Sequence, residues 1–143
     1  MTGALVAVGT LLLCAVVGLV LRARNGRVRE GRGSRGTTVE LVPEDVRAVL
    51  DPAAAVTLVQ LSTTFCTPCR HTRVLLSDLA GRTAGLAHTD IDLTDRPELA
   101  KALSVLRTPT TLAVDAHGVE LLRVGGVPKR EDLLTALRPH LPG

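Results

Sequence analysis

Cys66 and Cys69 stand two residues apart in the stretch Thr63-Thr64-Phe65-Cys66-Thr67-Pro68-Cys69-Arg70-His71-Thr72-Arg73. At that spacing two cysteines can share a metal ion, staple a loop, or trade electrons as a dithiol–disulfide pair. A zinc ion prefers four ligands, and the remaining candidates, His71, His88, His117 and His140, do not form a second tight ligand pair. The third cysteine, Cys14, lies in an apolar run and reads as a small apolar residue in a helix. Three cysteines are not a disulfide framework, and no metal is expected.

The pair falls where one element passes to another. Val56 to Leu61 is a β-rich apolar run suited to a buried central strand. A helical pattern follows from about Pro68 to Arg82, with Cys69, Leu76, Leu79 and Ala80 on one side. Free N–H groups and the dipole at a helix start stabilise negative charge, so Cys66 is placed to ionise more easily than a free thiol near pKa ~8.5. Cys69, about one turn further in, is expected to be more buried. The spacer lets the sulfurs close a small ring: the first thiolate attacks a partner's disulfide and the second resolves the mixed disulfide. Arg70, His71 and Arg73 add positive character nearby.

Other elements must hold this junction in place. Thr38 to Val42 reads as a short first strand, and Pro43-Glu44-Asp45 opens a helix carrying Val46, Val49 and Leu50 that ends at Asp51-Pro52. Leu86 to Ile91 reads as a second central strand. Asp92 to Leu106 holds a helix with Leu99, Ala102 and Leu103. Thr110 to Val114 is a strand, Asp115-Ala116-His117-Gly118 a turn, and Val119 to Val124 the returning partner, broken by Gly125-Gly126. Lys129 to Leu141 reads as a final helix with Leu133, Leu134, Leu137 and Leu141 at helical spacing. The order is β-α-β-α-β-α-β-β-α.

From about Val39 to Leu141 the chain resembles the thioredoxin family. The resemblance rests on Phe65-Cys66-Thr67-Pro68-Cys69 after a hydrophobic strand and on Thr108-Pro109-Thr110 before the next one, with Gly118 and Gly125-Gly126 also in place. It implies an α/β, thioredoxin-like fold, a central mixed sheet flanked by helices. It implies Cys66 as nucleophile and Cys69 as resolver, with no cofactor beyond a redox-active Cys66–Cys69 disulfide. It also implies a cis Pro109 beside the pair, the Thr108 backbone pairing with a bound substrate chain, and Phe65, Thr67 and Pro68 in the substrate-facing surface. The chain departs from the family at several positions: Phe65 stands where Trp is usual, Thr67-Pro68 where Gly-Pro is usual, and Val74 where a helix proline is usual. Gln60 stands where many members carry a buried acid, so the resolving step must use water or another group.

The amino-terminal part is of another kind. Gly3 to Leu21 contains no charged residue, and nineteen helical residues reach about 28 Å, close to a ~30 Å hydrocarbon core. Met1-Thr2 ahead of the run and Leu21-Arg22-Ala23-Arg24 after it do not suit a cleaved signal peptide. Three leucines before Cys14 do not suit a lipid-modified cysteine. The chain therefore divides into a transmembrane helix over 1–21, an Arg/Gly-rich tether over 22–38 and a thioredoxin-like domain over 39–143. Residues 22–36 hold six arginines against one glutamate, whereas the remainder has 11 basic and 13 acidic residues, so the positive charge is a local strip. Arginines beyond the helix place the domain on the cytoplasmic face, and the strip also suits anionic headgroups. With Phe65 the single aromatic residue, a nucleic-acid stacking platform is not expected.

The expected activity is a membrane-tethered thiol–disulfide oxidoreductase that reduces or exchanges protein disulfides. The expected partners are those substrates, a reductase or dithiol electron donor, and membrane lipid through the helix; a monomer is expected. Two alternatives come from other classes. One is a non-catalytic thioredoxin-fold membrane adaptor, and the other an extracytoplasmic thiol protein of cytochrome or oxidase assembly.

Overall fold

The computed structural model describes residues 2–31, 33 and 41–143. Helix α1 spans Thr2–Arg24. Its segment Gly3–Arg24 is long and apolar enough to cross a membrane and is not buried against the domain. The other described residues form a five-stranded sheet with helices on both faces. The strands are β1 (Val28–Glu30), β2 (Val56–Ser62), β3 (Leu86–Asp92), β4 (Thr110–Asp115) and β5 (Glu120–Gly125). Their spatial order is β1-β5-β4-β2-β3. β2 runs parallel to β3, pairing Val56 with Leu86, and antiparallel to β4, pairing Gln60 with Thr111. The helices are α2 (Glu44–Arg47), α3 (Thr67–Arg82), α4 (Pro97–Ala102) and α5 (Arg130–Leu137).

β2 is buried at all seven positions because it sits inside the sheet with helices on both sides. Side-chain alternation sorts it between two cores. Val59 and Leu61 pack with Val46 of α2, Leu99 of α4, Leu112 and Val114. Val56 and Leu58 pack with Leu76 and Leu79 of α3, Leu133 and Leu137 of α5, Leu122 and Val124. Burying one such aliphatic side chain contributes roughly 1.5–3 kcal/mol. Across the second face Asp78 ties the two helices together, accepting from Arg82 at 2.7 Å and from Arg130 at 2.6 Å. Those two arginines, Arg130 first, hold the Asp78 carboxyl below its ordinary pKa.

Several elements differ from the sequence expectation. The strand expected at Thr38–Val42 falls largely outside the described residues; Leu41 makes an isolated bridge to Val119 and Val42 N–H donates to Gly118 O at 2.9 Å. Instead, Val28–Glu30, within the expected tether, pairs antiparallel with Leu122–Val124 and forms an edge of the sheet. α1 likewise runs three residues into that segment. β3 is the opposite edge, not a central strand, and its middle residues are only half buried. The helix after Pro43 stops at Arg47 and continues only as a turn. The helix expected to begin near Asp92 starts at Pro97, and the last helix ends at Leu137, followed by a single 3-10 turn over Arg138–His140.

Candidate redox site

β2 ends at Ser62 and α3 begins at Thr67, so the chain turns between them over Thr63-Thr64-Phe65-Cys66. A small cluster fixes this lead-in. Thr64 N–H donates to Thr94 Oγ1 at 2.9 Å, and Thr64 Oγ1 donates to Asp92 Oδ2 at 3.3 Å. Asp92 in turn accepts from Thr94 N–H at 2.8 Å. Thr94 first, through its hydroxyl and N–H, and then Thr64 depress the Asp92 carboxyl below its ordinary pKa, with Arg73 assisting. The sequence pattern did not single out these residues. Their signal is the Asp-x-Thr at a strand end, where an acid closes a turn on the N–H two residues on.

Cys66 is the N-cap of α3, with Pro68 in the first turn where a missing N–H costs no helix bond. Its sulfur accepts the Cys69 N–H at 3.2 Å. The two sulfurs are joined as a disulfide with a Cα–Cα distance of 5.2 Å. Cys66 is half buried, whereas Cys69 is 2 % exposed, so the first cysteine is partly accessible and the second is covered. Phe65 is 98 % exposed, and Thr67 and Pro68 are also exposed, forming an open rim around Cys66.

The Thr108–Pro109 peptide is cis. Thr63 Oγ1 and Thr108 Oγ1 lie 3.4 Å apart, which sets this loop against the lead-in to Cys66. Pro109 is buried and its carbonyl accepts the Gly126 N–H at 2.7 Å, fastening the loop to the end of β5. Gly126 has φ +90, a backbone region open to glycine, and Asn25 fills the place a Cβ would take.

Beneath the pair, on the α3 side of the sheet, lies Gln60, with no exposed surface. Its Nε2 donates to Cys69 O at 2.8 Å. Gln60 Oε1, Thr72 Oγ1 and Thr111 Oγ1 are buried there without a partner among the described residues. Of the histidines, His71, His117 and His140 are exposed. His88 is half buried on β3, with Nδ1 3.0 Å from Ser77 Oγ; burial lowers its pKa, Asp90 opposes this and Arg73 adds to it. No group of metal-binding residues occurs among the described residues.

The model of the thioredoxin family matches residues 37–138. The chain belongs to the thioredoxin family. It is 34% identical over 74 residues to thioredoxin H2-2 of rice (Oryza sativa subsp. japonica), covering 52% of this chain and 54% of that one. It thus spans about half the length of that relative. It is 32% identical over 89 residues to a thioredoxin of Staphylococcus saprophyticus, covering 62% of this chain and 85% of the other. Solved structures share the fold. A mutant thioredoxin from Halobacterium salinarum NRC-1 superposes with TM-score 0.56 at 23% identity, over 63% of this chain and 78% of that one. Fasciola hepatica thioredoxin gives 0.56 at 22%, over 67% and 91%.

Proposed function

We propose that the chain is a membrane-anchored protein disulfide oxidoreductase working through Cys66 and Cys69. The observation that carries this reading is the bonded pair at the start of α3, one cysteine partly exposed and the other covered. In the reduced protein, the Cys69 N–H and the helix dipole stabilise a Cys66 thiolate. That thiolate attacks one sulfur of a substrate disulfide, forming a mixed disulfide and releasing a substrate thiolate. The Cys69 thiolate then attacks Cys66 Sγ, closing the Cys66–Cys69 bond and releasing the second substrate thiolate. Two electrons pass to the substrate, and a reductase or dithiol protein returns them.

Thr108 backbone groups and the rim of Phe65, Thr67 and Pro68 receive the substrate chain beside the cis proline. α1 spans the membrane as a single pass, and Arg22 and Arg24 in its last turn support a cytoplasmic domain. Reduction is the expected direction there.

The test is insulin reduction by the full chain in detergent micelles, with thiol labelling as the readout because the chain has no Trp. Cys66→Ser is expected to abolish turnover, and Cys69→Ser to accumulate mixed disulfides. Turnover by Cys66→Ser equal to the parent would overturn the assignment. A cytoplasm-active reporter fused after Gly143 is expected to be active; silence there would reverse the topology.

A further inference from the structure

Arginines gather where α1 joins the domain. The helix ends at Arg24, and only two residues later Gly26 N–H donates to Gly125 O at 2.9 Å. Gly26 has φ +73, and the Val127 backbone occupies the place a Cβ would take, so the junction is a packed corner. This corner sets Arg24, Arg27 and Arg29 along a surface groove of about 360 Å³, shared with Ser104, Leu106 and Arg107. Arg107 Nη2 donates to the same Gly125 oxygen at 3.1 Å, which holds its guanidinium across the end of the sheet.

Charge in this groove is unbalanced. Arg123, which also lines it, is neutralised by Glu120 at 2.7 Å. Arg24, Arg27, Arg29 and Arg107 are exposed and make no ion pair among the described residues. Four like charges in one groove repel each other unless an anion shares it. Beside them Leu106 is 97 % exposed. Planar guanidinium groups bond phosphate oxygens in pairs, and their apolar stems lie comfortably against lipid.

We propose that this groove seats the headgroup of an anionic phospholipid from the leaflet that α1 leaves. The inference rests on the reading of α1 as a membrane span. The groove is continuous with the last turn of that helix, which is where headgroups lie, and guanidiniums with an exposed leucine match an interface better than bulk water. Arg107 immediately precedes Thr108–Pro109. A lipid held there draws the cis-proline loop to the bilayer surface and fixes how the Cys66 end of the domain is presented.

The experiment uses the full chain in nanodiscs of phosphatidylcholine alone or with phosphatidylglycerol mixed in, read by amide hydrogen exchange over residues 104–109 and 121–127. Phosphatidylglycerol is expected to slow exchange there in the parent chain. Each arginine near an anionic surface is worth about fivefold in the docking equilibrium, so Arg29→Gln is expected to lose part of the protection and Arg29→Gln with Arg107→Gln nearly all. Arg29→Gln leaves the Arg107–Gly125 bond intact, so its effect does not depend on that contact.

Equal exchange in the two lipid mixtures, with the chain retained in the discs, would overturn lipid docking and leave the span standing. Release of the parent chain from membranes by alkaline carbonate would overturn both. Equal protection by inorganic phosphate in phosphatidylcholine discs would make the groove a soluble-phosphate site and overturn the lipid assignment.

Discussion

The side-chain amide of Gln60 donates to the main-chain carbonyl of Cys69 at 2.8 Å, from a position with no exposed surface. This bond ties the covered cysteine to β2 without placing an ionisable group under it. Gln60→Met removes the bond at similar volume and is expected to cost about 1 kcal/mol, measured by urea unfolding, while disulfide reduction persists. Gln60→Asp behaves differently. Burial raises the new carboxyl above its unfolded value near ~3.9, so the folded state holds its proton more tightly. Stability is then fully present below that value and is lost as pH rises through the raised folded one, by roughly 2 kcal/mol or more. Melting temperatures of Gln60→Asp that do not fall from acid to neutral pH would contradict this account.

Asp92 has the opposite sign. Thr94 and Thr64 hydrogen bonds depress its carboxyl in the folded state. Its contribution is therefore present above the unfolded carboxylate value and is lost as pH falls through the depressed folded one. Asp92→Ala frees Thr64 and Thr94 and loosens the lead-in to Cys66. The expected result is a several-fold lower kcat/KM for insulin reduction, roughly three- to tenfold, with a small change in melting temperature. Asp92→Asn, which keeps an acceptor oxygen, is expected to recover part of the rate.

How much the sequence revealed depends on how many independent signals met at each residue. Cys66, Cys69 and Pro109 stood out because a reactive pair, a strand-to-helix junction and a later Thr-Pro-Thr agreed. β2 was readable because every one of its positions is buried, whatever the partner strand. β1 was hidden: Val28 is its one apolar residue among arginines and a glutamate, and its pairing is decided by the open edge of β5 rather than by its own pattern. The Leu86–Ile91 segment reads as a central strand, but its polar middle, His88-Thr89-Asp90, suits the half-buried edge that β3 occupies. The helix after Pro43 is shorter than its pattern of Val46, Val49 and Leu50 implies, because past Arg47 the chain tightens into i→i+3 bonds, Val49 N–H to Val46 O and Leu50 N–H to Arg47 O, both at 3.2 Å. Asp92 and Thr94 form a local turn, but Thr64 is distant from both in sequence, and only the parallel pairing of β2 with β3 brings it to them.

Glu120 and Arg123 form a pair whose acid is almost fully buried. Arg123 Nε and Nη2 each lie 2.7 Å from a Glu120 oxygen, and Arg123 Nη1 donates to Leu103 O at 2.7 Å. The arginine therefore links β5 to the turn after α4. Arg123→Ala strands the Glu120 charge and is expected to cost about 3–5 kcal/mol in urea unfolding. Replacing both residues, Glu120→Leu with Arg123→Met, is expected to cost much less, because no charge remains buried. A double variant as unstable as Arg123→Ala would assign the loss to packing rather than to the charge.

The pairing of β1 bears on where a soluble fragment must begin. Val28 packs against the core formed with α3 and α5, and Val28–Glu30 lies opposite Leu122–Val124. Removing residues 1–36 strips this strand and leaves the N–H and C=O groups of β5 facing water on an open edge. Partial burial of one valine together with the lost strand pairing is worth about 1–3 kcal/mol. A fragment beginning at Asn25 is expected to be more stable than one beginning at Thr37 by that amount. The shorter fragment is also expected to self-associate as its concentration rises, because an uncovered strand edge pairs with a second copy. Sedimentation of both fragments with Cys66 and Cys69 oxidised separates this from intermolecular disulfides. Equal stability and equal monomer content would show that Val28–Glu30 adds nothing to the sheet it borders.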